Sequence, residues 1–309
     1  MQQVYPNYYP RFHCIAGDCR HSCCVGWEID VDAAALEKYH GVGGELGERL
    51  KRSITRGKTP HFRLTDGERC PFLNEHNLCD LIDLGSEELL CQICADHPRF
   101  RNFFSSRTEI GLGLCCEEAA RLILLQREKV TLISDSEAEL LDRQEAGLLA
   151  LRDELFVLAQ DRSVPITTRE NAILRRIGAA LPKRRAREWA AFYLSLVRMD
   201  EAWTALLQDL DDADDAAFTA YMCARETEYE QLLCYFLYRH LPAALDDGDV
   251  AGKAAFAVLS TRFLRALGAW QYQKTERFAQ SDQIELARLY SAEIEYSQEN
   301  LDALFDELC

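Results

Sequence analysis

Proline and glycine are sparse, at 8 and 16 of 309 residues. That scarcity excludes collagen-like and low-complexity classes. No apolar run approaches the ~18 residues a membrane-spanning helix needs, so no membrane span is expected. The opening Met1-Gln2-Gln3-Val4-Tyr5-Pro6-Asn7-Tyr8-Tyr9-Pro10 has neither a basic nor an apolar segment. A secretory leader is therefore not expected, and the expected compartment is cytoplasmic. Basic residues are outnumbered, 35 Lys and Arg against 51 Asp and Glu, leaving a net charge of −16. Such a chain repels phosphate backbones, which argues against nucleic acid as a partner. The deficit is uneven: residues 1–127 carry 15 basic and 18 acidic side chains, whereas 128–309 carry 20 and 33. Apolar residues are not lacking; at 48% they suffice for a core and exclude wholesale disorder.

Cysteine is what the chain has in excess. Ten of its 13 cysteines fall between Cys14 and Cys116, as Cys14-x4-Cys19-x3-Cys23-Cys24, Cys70-x8-Cys79, Cys91-x2-Cys94 and Cys115-Cys116; Cys223, Cys234 and Cys309 stand alone. Disulfides need an oxidising compartment, which an odd count and a missing leader argue against. Buried free thiols acting as small hydrophobes suit Cys223 and Cys234 but not paired thiols. Metal ligation suits the cluster best. Zinc usually takes four ligands from short-spaced pairs, and only Cys91-x2-Cys94 has that spacing. His13, His21, His76 and His97 could contribute, but no His-x3–5-His pair accompanies them. Iron–sulfur clusters take cysteine thiolates, often four at a time. The vicinal Cys23-Cys24 side chains more naturally reach different irons than one zinc, so iron–sulfur is preferred and zinc is kept as the alternative.

The pattern predicts a mainly α protein. An N-terminal cysteine-rich, metal-binding module with little β structure (1–127) is expected to pack on a C-terminal all-helical bundle (128–309). An extended arm runs from Tyr5 to Phe12, short helices over 32–40 and 45–56, and a hairpin-like stretch over 62–73. Ser86 is expected to cap a helix carrying Cys91 and Cys94, and Cys116 to open another. Ser134-x-x-Glu137 reads as a capping box opening a helix to about Gln160. Amphipathic stretches follow over 167–181, 183–208, 213–224, 226–245, 250–274 and 282–294, with a short one at the C-terminus.

Three other motifs carry little. Gly41-x-Gly43-Gly44-x-x-Gly47 follows a helix rather than a strand, so it reads as a turn and not a dinucleotide loop. Cys19-x3-Cys23 begins the Cys-x3-Cys-x2-Cys triplet of radical S-adenosylmethionine enzymes, but Gly26 stands where the third thiol belongs. The acidic run from Asp209 to Asp215 reads as a solvated loop.

Phe12-x-Cys14-x4-Cys19-x3-Cys23-Cys24-x-Gly26-Trp27-x-Ile29-Asp30 resembles the start of FliB-type flagellin lysine-N-methylases. Cys70-Pro71-Phe72-Leu73-Asn74, Leu78-Cys79, Leu90-Cys91-x2-Cys94, Pro98-Arg99 and Leu114-x-Cys116-x-Glu118-Ala119-Ala120-Arg121 follow in the family's order. The same pieces mark a wider group of zinc- or iron-chelating cysteine-cluster proteins. The resemblance covers residues 8 to about 125. The chain departs from it at His97, where Tyr is expected, at Glu117, where Pro is usual, and at Cys115, an extra thiol.

The resemblance implies a cytoplasmic protein-lysine N-methyltransferase. It would carry the methyl group of S-adenosyl-L-methionine to flagellin lysines and depend on a [4Fe–4S] cluster. The implied metal ligands are Cys14, Cys19, Cys23, Cys24, Cys70, Cys79, Cys91, Cys94 and Cys116. Tyr5, Tyr8, Tyr9, Phe12 and Trp27 could cage an alkylammonium or pack around the metal core. A competing expectation is a cysteine-cluster protein whose zinc or iron is structural or redox-sensing and whose helices bind a partner. No catalytic base and no donor-binding residue is identifiable.

Overall fold

The computed structural model describes residues 2–136 and 141–308. The chain is mainly helical and divides into two compact units, His13–Arg99 and Met1–Phe12 with Phe100–Cys309. The division thus falls at 12/13 and 99/100 rather than at 127/128. The reason is strand pairing: the first strand is drawn into a sheet with residues that lie beyond the cysteine segment.

In the His13–Arg99 unit, α1 (Ala33–Gly41) and α2 (Gly44–Ser53) precede two short helices, α3 (Asp80–Asp83) and α4 (Gln92–Asp96). Asp32 caps two of them at once. Its Oδ1 accepts the Ala35 N–H at 2.9 Å and its Oδ2 the Gln92 N–H at 2.7 Å, which ties α1 to α4. Those bonds, the one from Gln92 foremost, hold the Asp32 carboxyl below its usual range. The core joins Ile29, Val31, Tyr39, Leu50, Phe62 and Phe72 to Cys70 and Cys91. The hairpin-like stretch is present only as isolated bridges, Thr65 to Arg69, Ile54 to Phe62 and Leu73 to Cys79. Ser86 caps a single 3-10 turn at Glu87–Leu89; α4 is a separate helix that starts after Cys91.

The other unit contains the sheet that the sequence reading lacked, β1 (Gln2–Pro6), β2 (Arg99–Phe103), β3 (Arg107–Leu112) and β4 (Leu132–Ser134), in the order β2-β3-β1-β4. β1 runs parallel to β3, pairing Val4 with Glu109, and antiparallel to β4. The pairing leaves Glu109 fully buried, and Arg152 answers it with two hydrogen bonds. Gly111 has no room for a side chain: a Cβ there would lie 2.2 Å from the Phe100 ring.

Helices α5 (Glu117–Leu124), α6 (Arg143–Ala159), α7 (Ile166–Ile177), α8 (Ala186–Ser195), α9 (Glu201–Asp209) and α10 (Asp215–Met222) follow. After them come α11 (Thr227–His240), α12 (Ala244–Asp247), α13 (Val250–Thr275), α14 (Gln280–Tyr290) and α15 (Gln298–Leu308). α11 and most of α13 are buried on all sides, which makes them the axis of the bundle. The stretch 183–208 is two helices, since Asp200 caps α9. Ser134 ends β4, and the helix to Ala159 is capped instead by Asp142, which accepts the Gln144 and Glu145 N–H groups. Glu137 lies outside the described residues. The acidic run is more engaged than a solvated loop: Asp209 pairs with Lys274, Asp212 with Arg185 and Asp215 with Arg265, while Asp214 caps α10. Among the described residues no helix is long and apolar enough to cross a membrane.

Candidate functional site

Eight of the nine implied ligands lie in the His13–Arg99 unit. Cys116 lies in the helical unit, where it caps α5. Cys14 and Cys19 sit in the loop at its start. The Cys14 sulfur accepts the Ala16 N–H at 3.4 Å, and Cys19 donates to the His21 carbonyl. The other six are held by three backbone pieces. The first carries Cys23 and Cys24, whose carbonyls accept from Trp27 Nε1 at 2.8 Å and from the Cys70 N–H at 2.8 Å. The second runs from Cys70 to Cys79 and closes on itself through the Leu73–Cys79 bridge. The third is the start of α4, where Cys91 is fully buried and shares a hydrogen bond with Cys94, sulfur to sulfur, over 3.3 Å.

The six thiols are electrostatically linked. A hydrogen bond to Cys24 pushes the Cys23 thiol up, with burial and the Cys24 charge adding to it. Burial pushes Cys70 up to about 11, with the charges of Cys79 and Cys91 adding. Burial likewise raises Cys79, which also feels Cys23. The Cys91–Cys94 hydrogen bond raises Cys94, which feels Cys24 and Cys70 as well, and holds Cys91 down. Thiols so placed resist ionising together, because each thiolate opposes the next. A soft cation reverses that opposition and holds several as thiolates. The donor set therefore fits a thiophilic metal centre. Among the described residues no three His, Cys, Asp or Glu side chains are gathered at metal-bonding distance. Tyr39 closes the set from α1; its hydroxyl donates to the Leu89 carbonyl at 2.7 Å, and burial, then the charges of Cys91 and Cys94, raise its pKa.

The aromatic candidates are dispersed over both units. Tyr8 is a core residue, 1% exposed, and Tyr5 and Tyr9 set their rings 5.2 Å apart. Trp27 packs against the cysteine-unit core. Cys234 is buried in α11 and Cys223 is exposed after α10. Cys309 lies outside the described residues.

The helical unit holds a polar network that the sequence reading missed. A π-helical turn, Ser291–Glu295, follows α14 and turns Glu295 into the core. Its carboxylate accepts from Tyr235 at 2.9 Å and from His240 Nε2 at 2.6 Å, and forms an ion pair with Arg239 at 3.3 Å. Burial opposes the charge on Glu295, but Arg239 and His240 outweigh it and hold the carboxyl below its usual range. Tyr235 also accepts the Leu114 N–H at 3.2 Å, which fixes the loop entering Cys115 and Cys116. Arg239 stacks on Phe100 and Tyr296, its carbon 5.0 and 4.8 Å from the ring centres. Burial pushes the neighbouring Cys115 thiol up to about 12. π-turns recur at functional positions.

The family model described as the FliB lysine N-methylase C-terminal domain matches residues 110–308, from β3 to the end of α15. A lysine-N-methylase of Salmonella typhimurium is 25% identical over 130 residues, covering 38% of this chain and 31% of that protein. A lysine-N-methylase of Salmonella choleraesuis is also 25% identical over 130 residues, with the same coverage. The flagellar biosynthetic protein FliU of Salmonella muenchen is 24% identical over 130 residues, covering 38% of this chain and 75% of that protein. The match thus spans about a third of the length of the two lysine-N-methylases. No solved structure matches the chain. With most of its length, helices α5 to α15 included, inside the family model, the chain belongs to the FliB lysine N-methylase family.

Proposed function

We propose that the protein is an S-adenosylmethionine-dependent protein lysine N-methyltransferase that carries a [4Fe–4S] cluster and acts on flagellin. The family match supports the lysine methylation, and the names of the relatives support a flagellar substrate. The single observation behind the metal is a set of thiols on three backbone pieces, Cys23 and Cys24, Cys70 and Cys79, and Cys91 and Cys94, in which the Cys24 carbonyl holds the Cys70 N–H at 2.8 Å and the Cys91 and Cys94 sulfurs lie 3.3 Å apart. Cys14, Cys19 and Cys116 complete the candidate ligands.

A cluster supplies a redox-active, cationic iron centre when bound. This chain's own residues do the rest. Asp32 fixes the turn that presents Cys91 and Cys94, and the Cys24 carbonyl fixes Cys70. A substrate lysine, whose ordinary pKa is ~10.4, must lose its proton before it can attack a methyl group. Desolvation beside the protein favours that loss. The second reading, a structural or redox-sensing metal, zinc included, draws on the Cys91–Cys94 pair, whose spacing and 3.3 Å separation also suit two ligands of one ion.

The test is anaerobic purification, iron and sulfide assay, then incubation with flagellin and S-adenosylmethionine. The proposal expects iron with acid-labile sulfide and methyl-lysine in the flagellin. Stoichiometric zinc without iron would move the second reading ahead.

A further inference from the structure

Beside the cysteine unit's chemistry, the helical unit holds a cavity of about 220 Å³ whose wall carries three arginines, Arg127, Arg162 and Arg225. It lies past the end of α5 and at the starts of α11 and α14, with Leu124 giving an apolar side. A wall of three arginines is unexpected in a chain of net charge −16. Their internal pairing leaves positive charge over. Arg162 spends Nε and one terminal nitrogen on the buried Glu230, which Arg169 also binds, and reaches the Arg127 carbonyl at 2.8 Å. Arg225 is matched by Glu228, at 2.7 Å, the one carboxylate on the wall. Among the described residues no carboxylate pairs with Arg127, and the second terminal nitrogen of Arg162 has no hydrogen-bond partner.

Gln280 also lines the cavity and donates to Glu228 at 3.4 Å.

We infer that this cavity binds the oxyanion group, carboxylate or phosphate, of a small ligand. Guanidinium groups offer planar, always-charged donors that match either group. The Thr227 and Gln280 ends of two helices add positive potential to the same space. Glu228 on the wall leaves room for a neutral or cationic group on the same ligand, such as the ammonium of an amino acid. This binding does not depend on the methyl-transfer reading.

The test uses the anaerobically prepared full chain. Inorganic phosphate, succinate and S-adenosylhomocysteine are each titrated by calorimetry and thermal shift, with chloride at equal ionic strength as the control. Phosphate or succinate should raise the melting temperature where chloride does not. Arg127→Gln should weaken that binding about tenfold and Arg127→Glu should abolish it, since one charge-assisted hydrogen bond is worth about that much. Arg127 is exposed and, among the described residues, in no ion pair, so both variants should melt like the parent without ligand. Arg56→Glu, at an exposed arginine outside the cavity, should leave binding unchanged. If S-adenosylhomocysteine binding falls with the same variants, the cavity anchors the donor's carboxylate. If only phosphate or succinate binding falls, the site takes a separate ligand. No stabilisation beyond chloride, or equal affinity in the parent and both Arg127 variants, would overturn the inference whether or not the protein methylates flagellin.

Discussion

Tyr235 donates its hydroxyl to the Glu295 carboxylate at 2.9 Å, deep inside the helical unit, and the same oxygen accepts the Leu114 N–H. One hydroxyl therefore joins α11, the π-turn and the loop before Cys115-Cys116. Arg239 donates to it as well, at 2.8 Å.

Tyr235→Phe keeps the ring and removes the junction. It leaves the Leu114 N–H without its acceptor and Glu295 short of one donor. The expected loss of stability is ~1–3 kcal/mol, read as a lower urea midpoint. Protease cleavage near residue 114 should also quicken, because the loop loses its anchor. An unchanged midpoint would show that the network is not closed in solution.

Glu109 on β3 and Arg152 on α6 form a buried ion pair, at 0% and 1% exposed side chain. Glu109→Ala strands the buried Arg152 guanidinium, which keeps the Tyr238 ring 5.3 Å away, and also takes the carboxylate from Arg107. Breaking a buried pair from one side costs ~3–5 kcal/mol. Replacing both Glu109 and Arg152 by apolar residues should cost less, because only the less deeply buried Arg107 is then left without its carboxylate. Paired denaturation curves for Glu109→Ala and Glu109→Leu with Arg152→Met decide the matter.

What the sequence made legible was periodic or compositional. Cysteine spacing pointed to a module in the first part of the chain, read as 1–127 where the compact unit is His13–Arg99, and apolar spacing located α2, α7, α11 and α13 to within a few residues. Caps such as Asp32 stood next to the helices they start. The sheet was not legible because its strands are three to six residues long and β1 pairs with a partner about a hundred residues away. Gly111 is a strand residue that makes room for Phe100, a close approach that no spacing in the sequence announces. Buried carboxylates at Glu109, Glu230 and Glu295 resembled ordinary surface charge, since their arginine partners lie 43 to 68 residues away in the pairs Glu109–Arg152 and Glu230–Arg162, and only the fold brings them together.

Acid should destabilise the cysteine unit through His97. Burial, helped by the Arg99 charge, lowers its pKa from 6.5 to about 4. The folded state thus holds the ring neutral where the unfolded chain takes a proton. The stabilisation is full above pH 6.5 and is lost as the pH falls towards 4, by up to ~2 kcal/mol between pH 6.5 and 5. His97→Gln cannot titrate, so its urea midpoint should vary less than the parent's between pH 7 and 5. Parallel pH profiles for the two proteins would exclude His97 as the source.

Two cysteines separate metal binding from packing. Cys94 is partly buried, shares a hydrogen bond with Cys91, and feels Cys24 and Cys70. Cys234 is equally sulfur-bearing but stands alone in the wall of α11, 1% exposed, and its pKa is raised chiefly by burial. Cys94→Ser replaces a soft donor with a hard one at the site proposed for a thiophilic metal. It should lower the iron content, bleach the visible absorbance of the anaerobic protein, and abolish methyl transfer. Cys234→Ala removes only core volume, at a cost of ~1–2 kcal/mol, and should keep metal, colour and activity. Because a ligand substitution can also unfold a small unit, circular dichroism and the metal assay are read on the same samples. A Cys94→Ser protein that folds, retains full iron and methylates flagellin at the parent rate would remove Cys94 from the ligand set. A Cys94→Ser protein that folds and loses its iron yet still methylates would place the metal in a structural role and the methyl-transfer chemistry elsewhere in the chain.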